Sequence, residues 1–276
     1  MLGLLLLQVL ASCLWLGHSE VGTSFDNCLQ FFCEGITPND ALHPQNPAWI
    51  CQYYNNSYRY ATLYDREKRI PVYSAYIYQP GSDKIPHTWF FVEPQLITEN
   101  NLKEMEREWV LTDQDKFTID QIKDSQAVLD DYRKMAGLDR GQLCPSVHQY
   151  NTESKTATFA LTNAVPLDSS LYTGQWNTYV SDTMREKSAG CTTTYVITGA
   201  VPGDIQVGGG RVNSPSNIWS AACCLVGSHP WKAWGAITEN YKNKVEILTL
   251  GELEDRLSML YRGRMVTLFK NFCPRQ

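Results

Sequence analysis

Nine cysteines punctuate this chain of 276 residues, and one of them stands apart. Cys13 lies inside an almost wholly apolar run from Leu2 to Leu16, which Gly17, His18 and Ser19 follow. The run is too short for a lasting membrane anchor, and the small residues after it suit cleavage near position 19. Residues 1–19 therefore read as a signal peptide, and the mature chain as secreted into an oxidising, extracellular setting. Cys28, Cys33, Cys51, Cys144, Cys191, Cys223, Cys224 and Cys273 remain, an even set that predicts a disulfide-stapled fold. Sequence leaves roughly a hundred pairings open. No pair has CxxC spacing, which disfavours zinc. No later stretch reaches the length of apolar sequence that a spanning helix needs, so no permanent membrane anchor is expected.

The net charge of −5, with both signs scattered, excludes a broad electrostatic attraction to phosphate backbones. A local basic groove assembled from Arg140, Arg185 and Lys187 stays open. Asn55-Asn56-Ser57 is a sequon, and its tyrosine-rich, polar surroundings place Asn55 on the surface as an expected glycosylation site.

Residues 20–57 are rich in Cys, Asn, Pro and aromatics without a lasting period, and read as an irregular N-terminal layer packed on a single domain of residues 58–276. From Tyr60 to Tyr78, β-branched and aromatic runs flank Asp65-Arg66-Glu67-Lys68, a hairpin signal. Ile97 to Phe117 reads as a long surface loop. A short helix is expected between Ser125 and Met135, ending at Gly137, and a longer one from Asp168 to Lys187. Thr193–Gly199, Ile218–Val226 and Trp234–Thr238 read as strands, and Leu250 to Tyr261 as a last amphipathic helix. The order predicts an α+β fold with a mixed or antiparallel sheet and packed helices.

The chemistry-bearing segment is Asp139-Arg140-Gly141-Gln142, followed by Phe159-Ala-Leu-Thr-Asn163 and then Leu171-Tyr172-Thr-Gly174-Gln-Trp176. This ordered set resembles the DRGH…TFxLTN…LNxGxW pattern of the nonspecific DNA/RNA endonuclease family, whose core is a ββα-metal finger. Tyr73 to Tyr78, Tyr195 to Gly199 and Ser214 to Trp219 resemble further family segments. Within the family the chain is similar to the animal endonuclease domain-containing 1 subgroup, secreted and cysteine-rich, with Gln in place of the motif's His. The resemblance implies phosphodiester hydrolysis of DNA and RNA, a histidine general base, and one Mg²⁺ held by a helix Asn with a Glu eight residues later on the same face.

Gln142 stands at the histidine position, Tyr172 at the Asn and Val180 at the Glu. Glutamine offers no titratable base, a protonated phenol is a poor Mg²⁺ ligand, and valine supplies no oxygen. Tyr172, Trp176 and Val180 instead suggest an i, i+4, i+8 packing stripe. Asp139, Arg140, Gly141 and Asn163 are retained. By resemblance Arg140 binds phosphate and Asn163 supports the site; the alternative is that Asp139 and Arg140 pair with neighbours and Asn163 satisfies a turn. Of His43, His87, His148 and His229, only His148 lies near the motif, either as a surrogate base or as a solvated loop residue. Asp182 is two positions from Val180, rotated away from it, and so an unpromising displaced metal ligand.

Gly208-Gly209-Gly210 lacks the Lys-Ser/Thr of a phosphate loop, Asp113-Gln-Asp115 lacks the rest of a calcium loop, and no GxSxG or HExxH motif occurs. Three functions follow. One is a Mg²⁺-dependent nuclease with a rebuilt site. Another is an inactive relative that binds DNA, RNA, another anion or an extracellular protein. The third is a structural extracellular domain with no anion site.

Overall fold

The computed structural model describes residues 21–85, 89–98 and 100–276. The apolar leader, Cys13 and His87 lie outside the described residues. In chain order the strands are β1 (Val21–Gly22), β2 (Pro47–Tyr54), β3 (Ser57–Asp65), β4 (Ile70–Ile77), β5 (Leu138–Gln142), β6 (Ala164–Asp168), β7 (Thr193–Val201), β8 (Ile205–Val207), β9 (Val212–Ser214), β10 (Asn217–Val226), β11 (His229–Glu239) and β12 (Glu246–Leu248). Eight of them form one antiparallel sheet in the order β1-β2-β3-β4-β7-β10-β11-β12. The pairs β5–β6 and β8–β9 are separate ribbons. The α+β class with an antiparallel sheet is thus the observed one.

The central strands are buried on both faces, which is why they read as nearly continuous apolar runs rather than alternating ones. Strand β10 shows the period of two that feeds two cores. Ile218, Ala222 and Cys224 face one cluster, with Tyr60, Val196, Leu167 and Trp176. Trp219, Ala221 and Cys223 face the other, with Phe32, Leu42, Leu257 and Phe269. Adjacent cysteines therefore fasten opposite layers: Cys224 bonds Cys191 on one side, and Cys223 bonds Cys273 on the other. A third bridge, Cys28–Cys51, ties the N-terminal layer to β2.

The helices are short. In order they are α1 (Pro94–Ile97), α2 (Glu108–Asp113), α3 (Ile119–Ser125), α4 (Leu129–Arg133), α5 (Thr152–Ala157), α6 (Ser169–Thr173), α7 (Gln175–Thr178), α8 (Met184–Lys187) and α9 (Leu250–Leu260). Capping boxes start α3, through Thr118 and Gln121, and α9, through Thr249 and Glu252. Among the described residues no helix is long and apolar enough to cross a membrane.

The structure departs from the sequence reading in three places. The N-terminal layer is irregular only as far as its single 3-10 turns; β2 then pairs with β3 through a two-residue turn, so the sheet begins before residue 57. Asn55 and Asn56 both take positive φ there (48° and 57°), as the favoured hairpin turn requires. The segment 97–117 is not merely a surface loop, because α2 forms within it and Met105 and Leu111 are buried. The helix expected from Asp168 to Lys187 is interrupted. Gly174 leaves helical geometry at φ −101° and ψ −119°, and Tyr179–Thr183 forms a wider π turn.

Candidate functional site

Ribbon β5–β6 and the helical segments from α6 to α8 form a ββα finger over one face of the sheet. Its ribbon is in register, with Gly141 opposite Val165 and Gln142 opposite Ala164. Gly141 is required by close packing: a Cβ there would meet the Leu167 side chain at 2.8 Å. Side chains alternate along β5, so Arg140 and Gln142 share a face.

Gln142 is half-buried, and its amide is tied down. Nε2 donates to the Thr158 carbonyl at 2.8 Å and to the Thr158 hydroxyl at 3.1 Å. Asn163 is fully buried and wholly committed to the framework. Its Oδ1 accepts from Ser74 Oγ (2.8 Å) and the Cys144 amide (2.9 Å), while Nδ2 donates to the carbonyls of Cys144 (3.0 Å) and Thr158 (2.9 Å). The same Thr158 carbonyl thus receives both Gln142 and Asn163.

Arg140 is exposed and makes no ion pair among the described residues. Its guanidinium lies 4.6 Å from the centre of the buried Phe90 ring, a cation–π contact that holds the fork without using its donors. Beside it a recess of about 230 Å³ is lined by Trp89, Leu129, Tyr132, Arg133, Leu138 and Asp139. Pairing with neighbours is therefore not what holds Arg140. Nothing in the sequence pattern flagged Trp89 and Phe90, whereas Thr158 stood in plain view at the start of the Thr-Phe-Ala-Leu-Thr-Asn segment.

Tyr172 is 38% exposed at the end of α6. Partial burial raises its phenol, the nearby Asp139 carboxylate adds to this, and Arg140 opposes it. Trp176 and Val180 are buried. The break at Gly174 and the π turn separate these three residues, so the expected single stripe is not one continuous helix face. Asp182 is exposed and pairs with Arg185 at 2.8 Å.

His148 is neither loop-borne nor solvated. It ends a 3-10 turn, Ser146–His148, and is buried. Nε2 lies 2.8 Å from the Val180 carbonyl, which can only accept, so Nε2 carries the proton. Nδ1 then accepts from the Tyr76 hydroxyl at 3.0 Å. Burial pulls its pKa down to about 4. With both nitrogens engaged inside the core, His148 cannot serve as the surrogate base that its sequence position suggested.

The donors around the finger do not fit Mg²⁺. A phenol at Tyr172 whose pKa is raised, a buried isopropyl group at Val180 and an Asn163 amide oxygen that already accepts from Ser74 and the Cys144 amide provide no hard-oxygen cage. Among the described residues, the three-residue group with metal-ligand spacing is Cys33, Cys223 and Cys273, in the core on the sheet's other face.

Comparison with known proteins agrees with this architecture. The model of the family described as DNA/RNA non-specific endonuclease matches residues 37–256. Endonuclease domain-containing 1 protein of Mus musculus is 33% identical over 240 residues, covering 84% of this chain and 46% of the relative. The Homo sapiens protein of that name is 33% identical over 222 residues, covering 78% of this chain and 42% of the relative. The chain thus spans less than half the length of these curated relatives. Among solved structures, a chain of the EndoG/EndoGI complex superposes with a TM-score of 0.51 at 15% identity, covering 79% of this chain and 86% of that one, a likeness of fold. With the finger, the sheet and the ordered motif all in agreement, the chain belongs to the DNA/RNA non-specific endonuclease family.

Proposed function

We propose that this chain is a secreted family member that binds nucleic acid through Arg140 and does not hydrolyse it. The observation that carries this reading is the state of Gln142. At the place where the resemblance puts a general base, a carboxamide with no basic nitrogen is fixed on Thr158. The phenol at Tyr172 and the isopropyl group at Val180 do not suit Mg²⁺, so base and metal are lost together. Loss of general-base catalysis alone costs about 10²–10⁴ in rate.

The retained grip is Arg140. Its fork is presented to solvent and steadied by Phe90, which suits a phosphate oxygen pair. Asp139 and the small recess limit how much negative charge the site takes, so the expected affinity is modest. Export is supported by three disulfides and by Asn55, exposed at a hairpin tip as an acceptor for N-linked glycan.

The test is cleavage of supercoiled plasmid and single-stranded RNA by the mature chain with Mg²⁺ or Mn²⁺, together with anisotropy of labelled oligonucleotides. No cleavage is expected, with binding weakened about tenfold or more in Arg140→Ala, as loss of a charge-assisted contact implies. Cleavage that disappears in Arg140→Ala would instead establish an active nuclease with a rebuilt site.

A further inference from the structure

Six cysteines are paired, and Cys33 and Cys144 are left as buried thiols among the described residues. They belong to the clusters on opposite faces of the sheet and cannot join each other. Cys33 has a particular neighbourhood. Its sulfur and those of Cys223 and Cys273 all lie within 4.8 Å of one another. Three distant parts of the chain meet there: the turn Cys33–Gly35 of the N-terminal layer, the middle of β10, and the tail that follows α9.

A thiolate exchanges with a disulfide by attacking one of its sulfurs, and proximity makes that attack intramolecular. We propose that Cys33 is a resolving thiol for the Cys223–Cys273 bridge, so that one disulfide migrates among three sulfurs. In the step, Cys33 gives up its proton and its sulfur bonds to that of Cys223 or Cys273. The old S–S bond breaks, and its electron pair leaves on the displaced sulfur, which takes up a proton. One disulfide and one thiol exist before and after, so no outside oxidant or reductant is consumed. Bonding to Cys223 releases the C-terminal tail from β10 and ties the N-terminal layer to that strand. Bonding to Cys273 clips the N-terminal layer to the tail.

Burial, reinforced by the Glu34 carboxylate, pushes the Cys33 thiol up to about 12. Glu34 on its own turn and the Tyr195 phenol on β7 are the titratable groups that bear on it. Thiolate is scarce at neutral pH, and the exchange rate rises about tenfold per pH unit below that value.

Folded protein is held at pH 7, 8 and 9, quenched in acidic denaturant, labelled with N-ethylmaleimide, and its peptides are mapped. Label is expected first on Cys33 and Cys144. At pH 9 a growing share appears on Cys223 or Cys273, matched by loss at Cys33 and about tenfold faster than at pH 8. Cys33→Ala abolishes that growth. Labelling that stays on Cys33 after a day at pH 9, or redistributes equally in Cys33→Ala, overturns the proposal. In Cys273→Ala a Cys33–Cys223 bridge is expected; two free thiols at those positions overturn it as well.

Discussion

Asn163 makes four hydrogen bonds from one amide, all within the core. Truncation would strand the Cys144 amide and carbonyl, while the Ser74 hydroxyl keeps Thr62 and the Thr158 carbonyl keeps Gln142; buried unsatisfied groups cost about 1–3 kcal/mol each before relaxation. Asn163→Ala is therefore expected to lose about 3 kcal/mol or more in urea unfolding. His148 gives a pH signature. Unfolded, it binds a proton near its ordinary value of 6.5; folded, not until about 4. Between those values the unfolded state holds more protons, so stability is complete above 6.5 and declines as pH falls toward 4. The shift corresponds to about 3 kcal/mol, and urea midpoints from pH 7 to 4.5 in wild type and His148→Gln should show an acid limb flattened in the variant. The motif residues were legible because they lie in one ordered set. The state of His148 was not, because its partners Tyr76 and Val180 are 72 and 32 residues away.

Elements with strong local chemistry were the ones readable beforehand. The Tyr60–Tyr78 hairpin, the β7 and β10 strands and α9 follow from β-branched runs and an amphipathic pattern. Strand β2 was hidden because Pro47, Cys51 and Gln52 disguise its pattern, and pairing with β3 along its length and with β1 at Trp49 and Ile50 makes it a strand. Strands β1, β8, β9 and β12 are too short to show a period. Gly174 is the instructive case, since an isolated glycine in a helical pattern does not announce a break. Here the break is fixed from outside: Asn243 Oδ1 accepts the Gln175 amide at 2.8 Å. A Cβ at position 174 would sit 2.4 Å from the Ser170 carbonyl oxygen and 2.5 Å from Asn243 Oδ1. Alanine improves helix propensity by about 1 kcal/mol, but overpacking against backbone costs about 1–3 kcal/mol. Gly174→Ala is expected to lower the melting temperature, not raise it.

The whole molecule carries a net charge of −5 and presents one steadied arginine, with Arg133 beside it, at the finger. Binding through so few phosphates predicts a shallow plot of log affinity against log salt, with a slope of about −1 to −2; titrations at several salt concentrations would read it directly. Fold class was legible at this scale because element order carries it. The cysteine pairing was not, since bridges spanning 23, 33 and 50 residues depend on the finished sheet. Those bridges also decide how the molecule would answer a pull on its two ends. From Cys28 the covalent route crosses to Cys51, follows the chain to Cys191, crosses to Cys224, steps to Cys223 and crosses to Cys273. Apart from the Cys223–Cys224 step within β10, strands β7 to β12 and helix α9 lie off that route and feel no tension while the bridges hold. The extensible stretch is 51–191, which contains β3, β4 and the finger ribbon, so a tugged molecule would lengthen by surrendering these strands together with its Arg140 surface and keep the β7, β10, β11 and β12 half of its sheet intact.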